Sequence, residues 1–98
     1  MTLSLRKGGF ELALSSKTPL GFSLTLKPEF GSQRLETLGD AVRFIAELTP
    51  KQRESSHWKR AIFSLASAVR EPRYVALATI NIQTALAMEL MLRDPDQA

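Results

Sequence analysis

The sequence predicts a small α+β domain, in which an antiparallel β-hairpin or three-stranded meander is followed by three α-helices. An alternating apolar–polar segment, residues 22–27, is separated by a turn containing Pro and Gly from a shorter returning segment. Three later segments carry apolar residues at helical spacing, and the last, residues 73–92, is the longest apolar stretch. Because its apolar side chains lie all round the helix, we expect this C-terminal helix to be central and covered by the other elements.

Residues that break regular secondary structure mark both ends of a single predicted domain, residues 10–93. The breaker pair Gly8-Gly9 predicts a flexible N-terminal arm over residues 1–9. Asp94-Pro95 stops the last helix, so residues 94–98 are expected to form a frayed tail.

The hairpin begins after a predicted turn cluster at residues 16–21, with weak alternation before it at residues 10–15. The returning strand spans residues 33–37 and turns Leu35 inward. In the first strand, alternation places three side chains on the inward face: Phe22, Leu24 and Leu26.

The first helix is predicted over residues 38–48, with Thr37 as its N-cap and Asp40 completing a capping box. Thr49-Pro50 ends it, because the residue before a proline avoids the α conformation. The same Thr, with Gln52 three residues later, predicts one further helical turn and then a loop.

The second long helix begins after Ser55 or Ser56 and ends near Arg70. Glu71-Pro72 leaves room only for a tight reversal, so the last two helices are expected to pack as an antiparallel pair.

The apolar segment 73–92 has roughly the 20 residues that a membrane-spanning helix requires. Its polar residues oppose that interpretation, because an acidic residue such as Glu89 costs about 2.5–3.5 kcal/mol near the bilayer centre. We therefore expect a core helix in which four side chains are fully buried: Leu77, Ile82, Leu86 and Leu90.

The 98 residues include no Cys, which excludes disulfides, thiolate metal sites and cysteine nucleophiles. The opening residues lack a basic-then-apolar leader with a small-residue cleavage site, so we expect a cytoplasmic protein. His57 is the only histidine, whereas a zinc site normally needs three or four ligands and a hydrolytic triad needs His beside Ser and a carboxylate. With no phosphate-binding glycine loop either, we predict no enzymatic activity, no metal and no cofactor.

The net charge of +3 is unevenly spread, and residues 51–73 form one of its two basic zones. Trp58 lies beside two basic residues of this zone, and an aromatic ring can stack on a base while neighbouring cations contact phosphates. Its position also begins an apolar stripe, which is typical of a core residue. Five residues form the candidate anion or nucleic-acid patch: Arg53, Lys59, Arg60, Arg70 and Arg73.

The predicted elements are too few to cover the whole C-terminal helix, which leaves apolar surface for a partner. Its polar residues Asn81, Gln83 and Thr84 have two interpretations: hydrogen bonds to the hairpin within the monomer, or groups that fix the register of a homodimer. The candidate interface comprises five residues: Trp58, Asn81, Thr84, Met88 and Met91.

The order of these segments resembles a small alphaproteobacterial, largely rhizobial, family known as domain of unknown function nine-eight-two. The resemblance covers roughly residues 20–92 and rests on Ala41 within residues 38–45, the Trp58–Ala61 step, Ala68, and the Ala-rich last helix around Ala78 and Ala85. The chain departs from the family at Leu65, where a cysteine is expected, and at residues 79–82, where Ala-Arg-x-Ala is expected. The resemblance implies the fold and assigns no activity.

These features favour a non-enzymatic protein-interaction or regulatory module, which in one version is a homodimer paired through its helical face. The alternative is a nucleic-acid-binding accessory protein that uses the basic residues of the second long helix and the turn after it.

Overall fold

A computed structural model describes residues 16–91 of the chain. Over that range it confirms the predicted α+β class, with a two-stranded antiparallel sheet followed by helices. The strands are β1 (Pro19–Thr25) and β2 (Arg34–Thr37), and the helices are α1 (Leu38–Ala46), α2 (Pro50–Arg53), α3 (Ser56–Arg70) and α4 (Val75–Met88). The predicted N-terminal arm, the weak strand of residues 10–15 and the tail of residues 94–98 lie outside the described residues.

The strand β1 begins at Pro19, inside the segment that the sequence predicted to be a turn. Leu24 and Leu26 are buried as expected, but Phe22 is 44% exposed and the prediction that it faces the core was wrong. The pairing of β1 with β2 shifts register between Pro19 and Leu24, which interrupts the alternation of side chains. As a result Leu20, rather than Phe22, joins Leu24 in the core.

The helix α1 starts with the predicted capping box. Thr37 Oγ1 accepts a hydrogen bond from the Asp40 N–H, and Asp40 Oδ2 accepts one from the Thr37 N–H, both at 3.1 Å. The helix ends at Ala46, two residues earlier than predicted, and the Leu48 N–H closes the last turn onto Ile45 O. The predicted single turn follows as α2, where Thr49 and Gln52 form a second capping box.

The C-terminal helix α4 lies between α3 on one side and β1 on another, as its predicted central position requires. Small residues such as Ala78 and Ala85 face these neighbours and are completely buried, together with Ile82 and Leu86. Leu77 and Leu90, however, are 51% and 72% exposed, so the prediction that they are buried was wrong. In the described part of the chain, the hairpin and α3 cover only part of the circumference of α4, and side chains on its remaining face, such as Ile80 and Met88, are half-exposed or exposed.

None of the helices within residues 16–91 combines the length and apolar content needed to span a membrane.

Candidate functional site

An open groove of about 760 Å³ runs between α3 and α4, next to the short 3-10 turn Pro72–Tyr74 that joins them. The tight reversal at Pro72 makes the two helices an antiparallel pair, so residues on their adjacent faces line the same depression. Among the described residues, nine line it: Arg60, Phe63, Ser64, Ser67 and Arg70 from α3, Glu71 and Tyr74 from the link between the helices, and Leu77 and Asn81 from α4.

A hydrogen bond across the groove links the two helices. Asn81 Nδ2 donates to Ser64 Oγ at 3.0 Å, and Ser64 Oγ lies 3.1 Å from the carbonyl oxygens of Arg60 and Ala61, to which it donates. Ser64 is buried and Asn81 half-buried, so this bond lies at the floor of the groove. Asn81 therefore bonds within the monomer, but to α3 rather than to the hairpin as predicted.

Large apolar side chains on α3 and α4 are open to solvent, and two of them, Phe63 and Leu77, line the groove. Phe63 on α3 is 75% exposed, and Met88, near the end of α4, is 62% exposed. Leu77 and Ile80 on α4 are half-exposed. We refer to Phe63, Leu77, Ile80 and Met88 as the apolar face.

The charges at the groove are mainly positive. Arg60 and Arg70 are exposed, and neither has an ion-pair partner within residues 16–91. The acidic Glu71 is already paired, since its Oε2 lies 3.3 Å from Arg73 Nη2. The Arg73 guanidinium also donates to the Tyr74 hydroxyl at 3.2 Å and lies 5.0 Å from the centre of the Tyr74 ring.

The predicted basic patch is only partly assembled by the fold. Arg60 and Arg70 line the groove, and Arg73 is linked to it through Tyr74. Arg53 instead donates to the carbonyl of Ala46 at 3.2 Å, at the end of α1. Lys59 is exposed but is not part of the groove lining, because adjacent residues of a helix point about 100° apart.

Two residues of the predicted interface do not belong to any surface in this structure. Trp58 has 0% of its surface exposed, and its ring centre lies 6.0 Å from that of Phe44 in the core. Burial therefore corrects its predicted roles in an interface and in base stacking. Met91 is also buried, and its carbonyl accepts from the Lys27 N–H at 2.9 Å.

The other three predicted interface residues share one side of α4. Asn81, Thr84 and Met88 are three and four residues apart, which places them on one helical stripe that also contains Leu77. Thr84 and Met88 are exposed, and Thr84 Oγ1 donates to the Ile80 carbonyl at 2.9 Å.

Sequence reasoning missed Phe63 and Leu77 as surface residues. For Phe63 the signal was available, because it falls off the stripe formed by Trp58, Ala61, Leu65 and Ala68. For Leu77 no signal was available, since a helix with apolar residues all round gives no indication of which side its neighbours leave open.

A second polar cluster, which the sequence did not predict, joins the start of α3 to the end of α4. Glu89 Oε2 lies 2.9 Å from His57 Nε2, and Ser55 Oγ lies 3.2 Å from the same nitrogen. A serine hydrolase needs its serine and its carboxylate on opposite ring nitrogens of the histidine. Ser55 Oγ also donates to the Gln52 carbonyl at 2.7 Å, so this cluster has the geometry of a tether between helices rather than of a triad.

Within residues 16–91, the acidic and histidine side chains form no group of three or more arranged to hold a metal ion.

Comparison with family models, with curated proteins and with solved structures found no match to this chain. The resemblance to the small alphaproteobacterial family therefore stays a prediction.

Proposed function

We propose that this chain is a non-enzymatic protein-interaction module that binds its partner on the apolar face and the groove beside it. One observation carries this proposal: Phe63 and Leu77, which line the groove from its two helices, are mostly exposed and half-exposed respectively. Single exposed apolar residues are common on protein surfaces, whereas neighbouring ones bordered by polar groups are typical of binding sites.

The shape of this surface suits a recurring mode of recognition. Two packed helices with a groove between them can bind the apolar face of a third helix, whose side chains insert at intervals of three and four residues. The groove is already formed in the chain without a partner, and the bond between Asn81 and Ser64 links α3 and α4 along it. A preformed site reduces the ordering cost of binding.

The nucleic-acid alternative has one observation in its favour, which is that Arg60 and Arg70 lie on either side of the exposed ring of Phe63 along α3. Against it, Trp58 is buried and the five predicted cations do not form one patch. The aliphatic side chains Leu77, Ile80 and Met88 offer no flat ring on which a base could stack. We therefore favour a protein partner, which we expect in the cytoplasm.

Site-specific photo-crosslinking in the source cell tests this proposal. A photoreactive phenylalanine analogue is placed at Leu77, and in a matched control at Phe22, a half-exposed apolar residue on β1. We expect a discrete crosslinked product from position 77 that position 22 does not give, and whose yield falls when Met88→Asp is added. Equal products from both positions, or none from position 77, would contradict the proposal.

A further inference from the structure

We infer that the groove between α3 and α4 binds an acidic amphipathic helix of another protein. This inference rests on the proposed function and deepens it by naming the chemical class of the partner. Its basis is that exposed apolar side chains line the groove together with Arg60 and Arg70, which have no ion-pair partner within the described part of the chain.

The arginines define where the negative charges of the partner lie. Arg60 and Arg70 are ten residues apart on α3, so their backbone positions are separated by about 15 Å along the helix axis. Among the described residues that line the groove, the one acid, Glu71, is paired with Arg73 and so does not offset the charges of Arg60 and Arg70. Guanidinium groups bind carboxylates through two parallel hydrogen bonds. Because Arg60 and Arg70 lie well apart along the groove, they favour a ligand with a carboxylate near each end.

The side chains between the arginines define the middle of the ligand. Phe63 on α3 and Leu77 on α4 border the groove and are open to solvent. A bound helix lying along α3 would place apolar residues over them and carboxylates beyond both ends. The expected pattern is therefore an acidic residue, apolar residues at spacings of three and four, and a second acidic residue about ten positions from the first.

A second copy of the chain fits this surface less well. In a two-fold symmetric dimer the same surface meets itself, so each groove would face the same two arginines of the other chain. The net charge of +3 adds to that repulsion. Charge complementarity thus favours an acidic partner over a homodimer.

Peptide display with the full-length chain as bait provides the test. A library of random 18-residue peptides is selected on the wild-type chain, and enriched peptides are titrated by fluorescence polarisation. The variant with Arg60→Glu and Arg70→Glu is compared with a control carrying Lys17→Glu and Lys51→Glu, two exposed lysines outside the groove. Both variants change the net charge equally, and emission from Trp58 confirms that each is folded.

We expect enriched peptides to combine acidic and apolar residues at the stated spacing. Their affinity should fall about tenfold in the arginine variant and less than twofold in the lysine control, and it should weaken as salt is added. Enrichment of peptides without acidic residues, equal losses in both variants, or no enrichment would overturn the inference.

Two further measurements separate the competing occupants. Light scattering that shows a dimer at micromolar concentration, or a single-stranded oligouridine probe that binds and is lost in the arginine variant, would also overturn the inference. If position 77 crosslinks a protein in cells while the selected peptides lack acidic residues, the proposed function stands and only this inference fails. If both experiments are negative, both proposals fail.

Discussion

The amide of Gly21 in β1 donates a hydrogen bond to Thr79 Oγ1 in α4 at 2.9 Å, across 58 residues of sequence. Thr79 is completely buried, and its hydroxyl donates in turn to the Val75 carbonyl at 2.8 Å. The bond from Gly21 ties the hairpin to α4, which carries three of the four residues of the apolar face, and the bond to Val75 lies within α4.

We expect Thr79→Val to lower the free energy of unfolding by about 1–2 kcal/mol, because a valine of nearly the same shape leaves the Gly21 N–H without its acceptor. Thr84→Val is the matched control. Thr84 is exposed and bonds only within its own helix turn, so its replacement should change stability by less than about 0.5 kcal/mol. Urea unfolding followed by Trp58 fluorescence measures both, and equal effects would show that the contact with Gly21 contributes nothing.

The two large aromatic residues of α3 should respond in opposite ways to truncation. Trp58→Ala removes a fully buried ring and should cost about 3–5 kcal/mol, enough to unfold a marginal domain. Phe63→Ala removes a ring that is mostly in solvent and should change stability by less than about 0.5 kcal/mol. Thermal unfolding followed by far-ultraviolet circular dichroism makes this comparison without relying on tryptophan emission. A large loss of stability in Phe63→Ala would remove the argument that Phe63 is reserved for a partner.

The capping carboxylate of α1 should make stability depend on pH. The N–H of Glu36 holds the pKa of Asp40 below its ordinary value of 3.8; partial burial opposes this, and the Thr37 N–H and the Arg43 guanidinium add to it. Because the pKa is lower in the folded protein, Asp40 contributes its full stability above pH 3.8, and that contribution is lost as pH falls through the folded-state pKa.

We therefore expect Asp40→Asn to be less stable than the wild type near about pH 6, and the difference to shrink as the pH is lowered to about 3. Urea midpoints measured across this range give the difference directly. A stability difference that stays constant with pH would mean that the charge of the Asp40 carboxylate contributes nothing to stability.

Leu90, just after the end of α4, has a strained backbone conformation that glycine should relieve. Leu90 has a φ of 58°, in the left-handed region, while the Met91 N–H donates to Leu86 O at 2.9 Å, as in a Schellman motif. Its side chain is mostly exposed, so Leu90→Gly should raise stability by about 0.5–1 kcal/mol despite the extra freedom of glycine in the unfolded chain. Leu90→Ala keeps the strain and should bring no gain. If both variants shift the unfolding midpoint equally, side-chain contacts rather than backbone strain decide this position.

Local sequence signals were sufficient for the order of elements and for the starts of α1, α2 and α3, but α4 spans Val75–Met88 rather than the predicted residues 73–92. Thr37 with Asp40, and Thr49 with Gln52, marked two helix starts, because a capping box depends only on residues three positions apart. Leu24, Leu26 and Leu35 were placed correctly because strand alternation is also local. Phe22 was not, because the register shift in β1 depends on how that strand pairs with β2.

What the sequence determined by itself is therefore the α+β class, the helix caps and the surplus of apolar side chains on the last helix. Which of those side chains remain exposed was decided only by the tertiary structure. Trp58 and Phe63 lie five residues apart on one helix, and packing buries the first and exposes the second. The groove arises in the same way, because the faces of α3 and α4 that line it become neighbours only when the tight turn at Pro72 brings the two helices side by side.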